Sequence, residues 1–268
     1  MKDHLRRLIE GTSGDLLKLC VAREYLQARI LQGLQEDGVF IRWAFLGGTA
    51  LRFLYSLPRY SEDLDFSTLE AGEDVGFRSA LLRVQRTFSA EGYSLSIKVN
   101  DRKAAASAFI RFSGLMYELE LSPHPSQSLS IKIELDTNPP AGATTETTLV
   151  RRHVTLNLHH HDRASLLAGK LHALLSRPWM KGRDLFDIIW YLADRSWPSP
   201  NLLLLNSAST QTSWSGPVIT PDNWRGVLKE RLASVDWGKA RADALPFLER
   251  ERDADLLTLD NASGLLKD

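Results

Sequence analysis

The chain has 268 residues, 43% hydrophobic and 25% charged, enough to bury the core of one large domain or two small ones. Its 33 basic residues balance 33 acidic ones, so the whole molecule is no magnet for polyanions and any nucleic-acid site has to be a local patch. The single cysteine cannot form an intramolecular disulfide, no run of about eighteen apolar residues occurs, and the polar start MKDHLRRLIE lacks a signal-peptide core, so a cytoplasmic protein with no membrane contact is expected.

From Asp15 to Asp37 the residues Leu16, Leu19, Tyr25, Leu26, Ile30 and Leu34 recur at helical spacing, with Cys20 read as a small buried hydrophobe and Gly38 as the stop. Trp43-Ala44-Phe45-Leu46 reads as a strand, Gly47-Gly48 as a turn, and Thr49 to Leu57 as a helix ended by Pro58. A second strand carries Asp63, Leu64, Asp65 and Phe66, and Phe77, Leu81, Val84 and Phe88 form one stripe of a helix from Gly76 to Ala90. Alternation predicts strands at Leu95, Ile97 and Val99, at Tyr117, Leu119 and Leu121, and at Ser130 to Asp136, the last stopped by Pro139-Pro140. His159-His160-His161 are expected in a solvated loop, since adjacent histidines do not readily converge on one ion.

Two helices follow, Arg163 to Ser176 and Arg183 to Arg195, then a Pro- and Ser-rich connector from Ser196 to Pro221 and a helical remainder. The expected fold class is therefore α+β, with a mixed-sheet α/β domain over residues 1–160 and a helical region over 161–268.

Asp63 and Asp65, two apart on a strand, project from one face while Leu64 and Phe66 turn to the core. Paired carboxylates repel unless a cation lies between them, and oxygen-only ligands suit Mg²⁺ or Mn²⁺. Glu134 and Asp136 share the polar face of another strand, so either supplies a third acid if the two strands are neighbours, the arrangement in-line phosphoryl displacement needs. Gly47-Gly48-Thr49 at a strand-to-helix junction offers free N–H groups and a hydroxyl to a phosphate, and Arg52, Arg59 and Ser61 are candidate triphosphate contacts. Further on, Asp184 and Asp187 share a helix face opposite Leu185, Ile188, Ile189 and Leu192, an outward one on this reading, and Lys170 is able to aim a compact charge at a phosphate near Arg177, Lys181 and Arg183.

The blocks Phe45-Leu46-Gly47-Gly48-Thr49-Ala50-Leu51-Arg52 and Pro58-Arg59-Tyr60-Ser61-Glu62-Asp63-Leu64-Asp65-Phe66 resemble the AbiEii/AbiGii-type nucleotidyltransferase toxins of the DNA polymerase β-like superfamily. Lys170-Leu171-His172-Ala173-Leu174-Leu175-Ser176-Arg177 with Lys181-Gly182-Arg183-Asp184-Leu185-Phe186-Asp187 resembles that family's downstream Lys and Arg-Asp-x-x-Asp motif, and Trp237 to Leu257 its helical tail. The resemblance implies Gly48 and Thr49 on the triphosphate, Asp63 and Asp65 on metal with Glu134 ahead of Asp136 as third acid, Lys170 on nucleotide phosphates, and Asp184 or Asp187 in support. It also implies an NTP substrate, transfer to a tRNA 3′ end or another RNA, and a cognate antitoxin in a toxin–antitoxin or phage-defence pair. A protein hydroxyl, a small molecule such as an antibiotic, and a catalytically silent binding module remain as alternatives.

Overall fold

The computed structural model describes residues 2–70, 75–101 and 105–267. The chain forms two compact units, one of Met1–Tyr55, Tyr60–Pro139 and Thr147–His160, the other of Ser56–Arg59, Pro140–Glu146 and His161–Asp268.

The first unit opens with helices α1 (Lys2–Glu10) and α2 (Asp15–Glu36), then strand β1 (Trp43–Leu46), α3 (Gly47–Tyr55), β2 (Leu64–Thr68), α4 (Phe77–Ala90), β3 (Leu95–Asn100), β4 (Ala105–Phe112), the one-turn α5 (Leu115–Glu118), β5 (Leu129–Asp136), β6 (Thr145–Arg152) and β7 (Val154–His161). The seven strands make one mixed sheet in the order β3-β4-β5-β2-β1-β7-β6. The β1–β2, β3–β4 and β4–β5 pairs are antiparallel, and β2–β5 and β1–β7 are parallel. Period-two alternation decides which face is covered: in β5, Leu129, Ile131, Ile133 and Leu135 are buried while Ser130, Lys132, Glu134 and Asp136 look the other way, half-exposed. The core continues through rings in contact, Trp43, Phe45 and Phe66 at one end and Phe88, Tyr93 and Phe112 at the other.

The second unit is helical: α6 (Arg163–Ser176), α7 (Gly182–Ala193), α8 (Leu202–Gln211), α9 (Trp224–Ala233), α10 (Trp237–Ala244) and α11 (Leu259–Leu265). Side chains of Asp162, Asn201, Asp236 and Thr258 accept backbone N–H groups at the starts of α6, α8, α10 and α11, satisfying donors that a helix leaves unpaired. The short segment Ser56–Arg59 belongs here because Arg59 bridges to Leu248 and the Glu249 N–H donates to the Pro58 carbonyl at 3.1 Å. Among the described residues no helix is long and apolar enough to cross a membrane.

Three expectations are corrected. Residues 115–121 are not a strand: Leu115, Met116 and Leu119 bury together at helical spacing while Tyr117 is exposed, so the apparent alternation came from one helical turn and its exit. His159-His160-His161 end β7 instead of lying in a solvated loop; His160 and His161 are buried, and His160 Nε2 meets Thr148 Oγ1 at 2.9 Å. The connector from Ser196 to Pro221 contains α8, whose four-leucine start is capped by Asn201. The alternation of β4 and of the first part of β7 was not read as strand from the sequence.

Candidate active site

In the first unit, β1 runs into Gly47, which takes φ +82°, and a Cβ there would collide with Asp65 Oδ2 and lie 3.1 Å from the Asp65 Cβ and Cγ. Glycine is thus required twice, by a backbone region that L side chains avoid and by the carboxylate packed against it. The register fixes the acids: Leu46 lies opposite Asp65 on one side, and Glu134 lies opposite Asp65 on the other, two pairs before Ser67 opposite Asp136. The strand adjacency left open by the sequence is therefore present, and Glu134, not Asp136, is the direct neighbour of Asp65. Asp136 instead accepts the Asn138 N–H at 2.9 Å, and its burial pushes the carboxyl pKa up against that bond.

Thr49 is fully buried and donates its hydroxyl to the Asp63 backbone carbonyl, tying the first turn of α3 to the start of the acid strand. The Ser61 carbonyl accepts Gln27 Nε2 at 3.1 Å, which holds the approach to that strand against α2. Arg52, expected at a triphosphate, is 2% exposed, paired with Glu24 of α2, and stacked on Tyr60 at 4.0 Å. Arg152 and His153 meet the same Glu24 carboxylate at 3.0 Å each. Burial alone would raise Glu24, yet the His153 hydrogen bond and the Arg52 and Arg152 charges outweigh it and bring the pKa down to about 2.

The sequence reading missed Lys132. Its Nζ lies 2.6 Å from Glu134 Oε1, and although burial disfavours its charge, Glu134 and the nearby Asp63 and Asp65 carboxylates outweigh that and hold its pKa above the usual lysine value. The cluster of three acids therefore carries its own counter-charge. The signal was available, since Lys132, Glu134 and Asp136 alternate on one face of β5. Among the described residues, no group of three or more His, Cys, Asp or Glu side chains is arranged to hold a metal ion as the side chains stand.

The second unit holds the remaining candidates, and here the outward face expected for Asp184 and Asp187 is corrected: Asp187 is 0% and Asp184 9% exposed. Lys170 Nζ meets Asp184 Oδ1 at 2.9 Å and Asp187 Oδ2 at 2.7 Å, and Arg177 Nη1 meets Asp184 Oδ2 at 2.6 Å. Arg59, also expected at the triphosphate, is buried and grips Asp187 with two bonds, Nε to Oδ1 at 2.6 Å and Nη2 to Oδ2 at 2.5 Å. Burial pushes Asp184 up and Lys170 down, but the opposite charges win, so the Asp184 pKa falls well below the carboxylate range and that of Lys170 rises. Acids three apart on α7 found buried partners because α6 and the Ser56–Arg59 segment supply cations to the same face. Arg183 instead stacks on Phe247 at 4.1 Å.

No curated protein matches the chain. Two solved structures share its fold: JHP933 from Helicobacter pylori, with TM-score 0.52 at 19% identity over 92% of this chain and 88% of that one, and MenT4, a nucleotidyltransferase toxin from Mycobacterium tuberculosis, with TM-score 0.52 at 17% identity over 100% and 99%. The family profile described as "Nucleotidyl transferase AbiEii toxin, Type IV TA system" matches residues 29–258, which include the glycine turn, the acid strands and the Lys170 to Asp187 helices. The chain is a nucleotidyltransferase and belongs to the AbiEii toxin family of type IV toxin–antitoxin systems.

Proposed function

We propose that the protein transfers a nucleoside monophosphate from an NTP to the 3′ end of an RNA, with tRNA the favoured acceptor, and that Asp63, Asp65 and Glu134 hold a divalent metal for the reaction. The observation that carries the reading is the side-by-side register of Asp65 and Glu134, with Gly47 free of a side chain where the Asp65 carboxylate lies. Carboxylate oxygens are the ligands that Mg²⁺ or Mn²⁺ takes, and the three acids already have a cation beside them in Lys132. When bound, the metal supplies charge to the α-phosphate and lowers the cost of ionising the attacking hydroxyl.

The chain's own part is positioning. The Gly47-Gly48 backbone at the start of α3 offers N–H groups to the triphosphate, and the Thr49 hydroxyl keeps that turn in register with Asp63. The acceptor oxygen forms a bond to Pα, the bond from Pα to the β-bridging oxygen breaks, pyrophosphate leaves, and the hydroxyl proton passes to a carboxylate of the cluster. Lys170, Asp184, Asp187 and Arg59 act through one another, fixing α6, α7 and the Ser56–Arg59 segment together. Family membership brings an NTP substrate and a cognate antitoxin with it.

The test is transfer of α-labelled ATP, GTP, CTP and UTP to total bacterial tRNA with Mg²⁺, beside Asp65→Asn and an EDTA control. Label in tRNA that both controls abolish is the expected result. No label with any NTP would remove tRNA as the acceptor, and pyrophosphate release on a protein or small-molecule acceptor would redirect the assignment.

A further inference from the structure

The acid-bearing face of the sheet extends past the acids to its β3 edge. The register aligns them in rows: Lys98, Phe109 and Lys132 lie opposite one another on β3, β4 and β5; Ser96, Arg111 and Ser130 form the next row; and Asn100, Ser107 and Glu134, with Asp65 of β2, form the row that carries the acids. Directly opposed residues share a face, so this surface is continuous with Asp65 and Glu134. The opposite face is the core, with Ala108, Ile110, Phe112, Ile131 and Ile133 buried.

Phe109 is 39% exposed on this otherwise polar face, with the Lys132 ammonium 6.0 Å from its ring centre. The Lys132 contact is favourable to the ring and leaves its exposed part as a face on which a flat base can stack. Lys98 and Arg111 are exposed, and among the described residues neither has an ion-pair partner. Within β3, β4 and β5 the acidic residues are Glu134 and Asp136, both at the end of the face nearest Asp65. From strand spacing, Phe109 is about 12 Å from Asp65 between Cα atoms. An open sheet with an exposed ring and unpaired cations, leading to metal-type acids, matches the requirements of a flexible polyanion with flat bases: stacking for the base, positive charge for the backbone.

We propose that this β3–β4–β5 face is the track for the single-stranded 3′ end of the RNA acceptor, with a base stacked on Phe109 and phosphates against Lys98 and Arg111. The proposal rests on the RNA-acceptor reading above and adds the surface that reads the acceptor. Its charge favours nucleic acid over a protein partner, because Lys98 and Arg111, in adjacent rows, each gain from a phosphate laid beside them.

The experiment uses the full chain and a fluorescently labelled single-stranded RNA of about 12 nucleotides, within the usual span of such sites. Anisotropy gives the Kd at several salt concentrations for the wild type, Phe109→Ala, the Lys98→Glu/Arg111→Glu double variant, and Arg86→Glu. Arg86 lies on α4, whose Phe88 packs on the core-side Phe112, so its reversal changes charge away from the proposed track. Phe109→Ala is expected to weaken binding about 5- to 150-fold, the range found for one stacked base. The double variant is expected to weaken binding and to flatten the salt dependence by about 0.7 per lost phosphate contact, with Arg86→Glu behaving as wild type. RNA labelling is run in parallel. Wild-type affinity and labelling in both face variants would overturn the track while leaving the RNA-transfer reading intact, as would equal losses in Arg86→Glu. Binding that depends on Phe109 without any RNA labelling would support the track and sink the transfer reading. If the face variants keep RNA and instead lose a co-expressed protein partner, the surface is a protein dock and the proposal fails.

Discussion

Removing Asp187 should harm the fold far more than removing Arg59, although the two side chains are bound to each other. The charged group contains three cations, the buried Arg59, the largely buried Lys170 and the partly exposed Arg177, and two buried carboxylates, Asp184 and Asp187. Arg59→Ala leaves two of each sign, so its cost is the loss of two charge-assisted hydrogen bonds less the relief of one buried charge, about 2 kcal/mol. Asp187→Ala leaves three cations sharing Asp184, with the Arg59 guanidinium, 3% exposed, stripped of its carboxylate, and breaking a buried pair in that way costs about 4–5 kcal/mol. For a chain of this size that is a fall in Tm of about 8–20 °C. The double variant removes the offending charge along with its partner and should lose about 3 kcal/mol, less than Asp187→Ala alone. Urea denaturation of the full chain, followed by tryptophan fluorescence, measures all three. A double variant whose loss equals the sum of the single losses, or an Arg59→Ala as damaging as Asp187→Ala, would refute the charge accounting.

Gly47→Ala puts a Cβ into a left-handed residue and against the Asp65 carboxylate, so nucleotide transfer should fall by at least tenfold while stability falls by about 1–2 kcal/mol, read by product formation and thermal melts. Lys132→Met removes the internal counter-charge of Asp63, Asp65 and Glu134, so Mn²⁺ should raise the variant's Tm more than it raises the wild type's; an equal or smaller rise would mean the lysine and the metal do not share the acids. Glu24 has a folded-state pKa of about 2, below the ordinary glutamate value, so its contribution is fully present above about pH 4.5 and is lost as pH falls toward 2. Glu24→Gln should therefore be less stable than wild type by about 3 kcal/mol near neutral pH, with the gap closing on acidification; a constant gap from pH 6 to 2.5 would show that the carboxylate charge is not what matters.

Much of this protein could be read along the chain because much of it is locally encoded. The Arg163–Ser176 helix appears with the bounds that its leucine stripe gives, and Ser130 to Asp136 is a strand because its alternation leaves one face apolar and the other charged. The glycine turn was likewise legible, since a positive φ is a property of neighbours in sequence, whereas Asp63, expected on the strand with Asp65, lies one residue before β2 begins at Leu64. Local pattern misled where two geometries produce the same spacing over a few residues, as at Tyr117 to Leu121, or where polar residues are buried by distant partners, as at His160.

What only the tertiary structure decided is the destination of each charge. Arg52 and Arg59 sit beside the glycine turn and the Asp63–Asp65 segment in sequence, yet their partners are Glu24 and Asp187, 28 and 128 residues away, and a buried guanidinium goes wherever a carboxylate is available to it. The choice of Glu134 over Asp136 as neighbour to Asp65 is a matter of strand register, which depends on how β2 and β5 meet and is written in neither strand alone. Lys132 becomes part of the acid cluster for the same reason: the sequence assigns it a face, and the fold supplies the acids beside it.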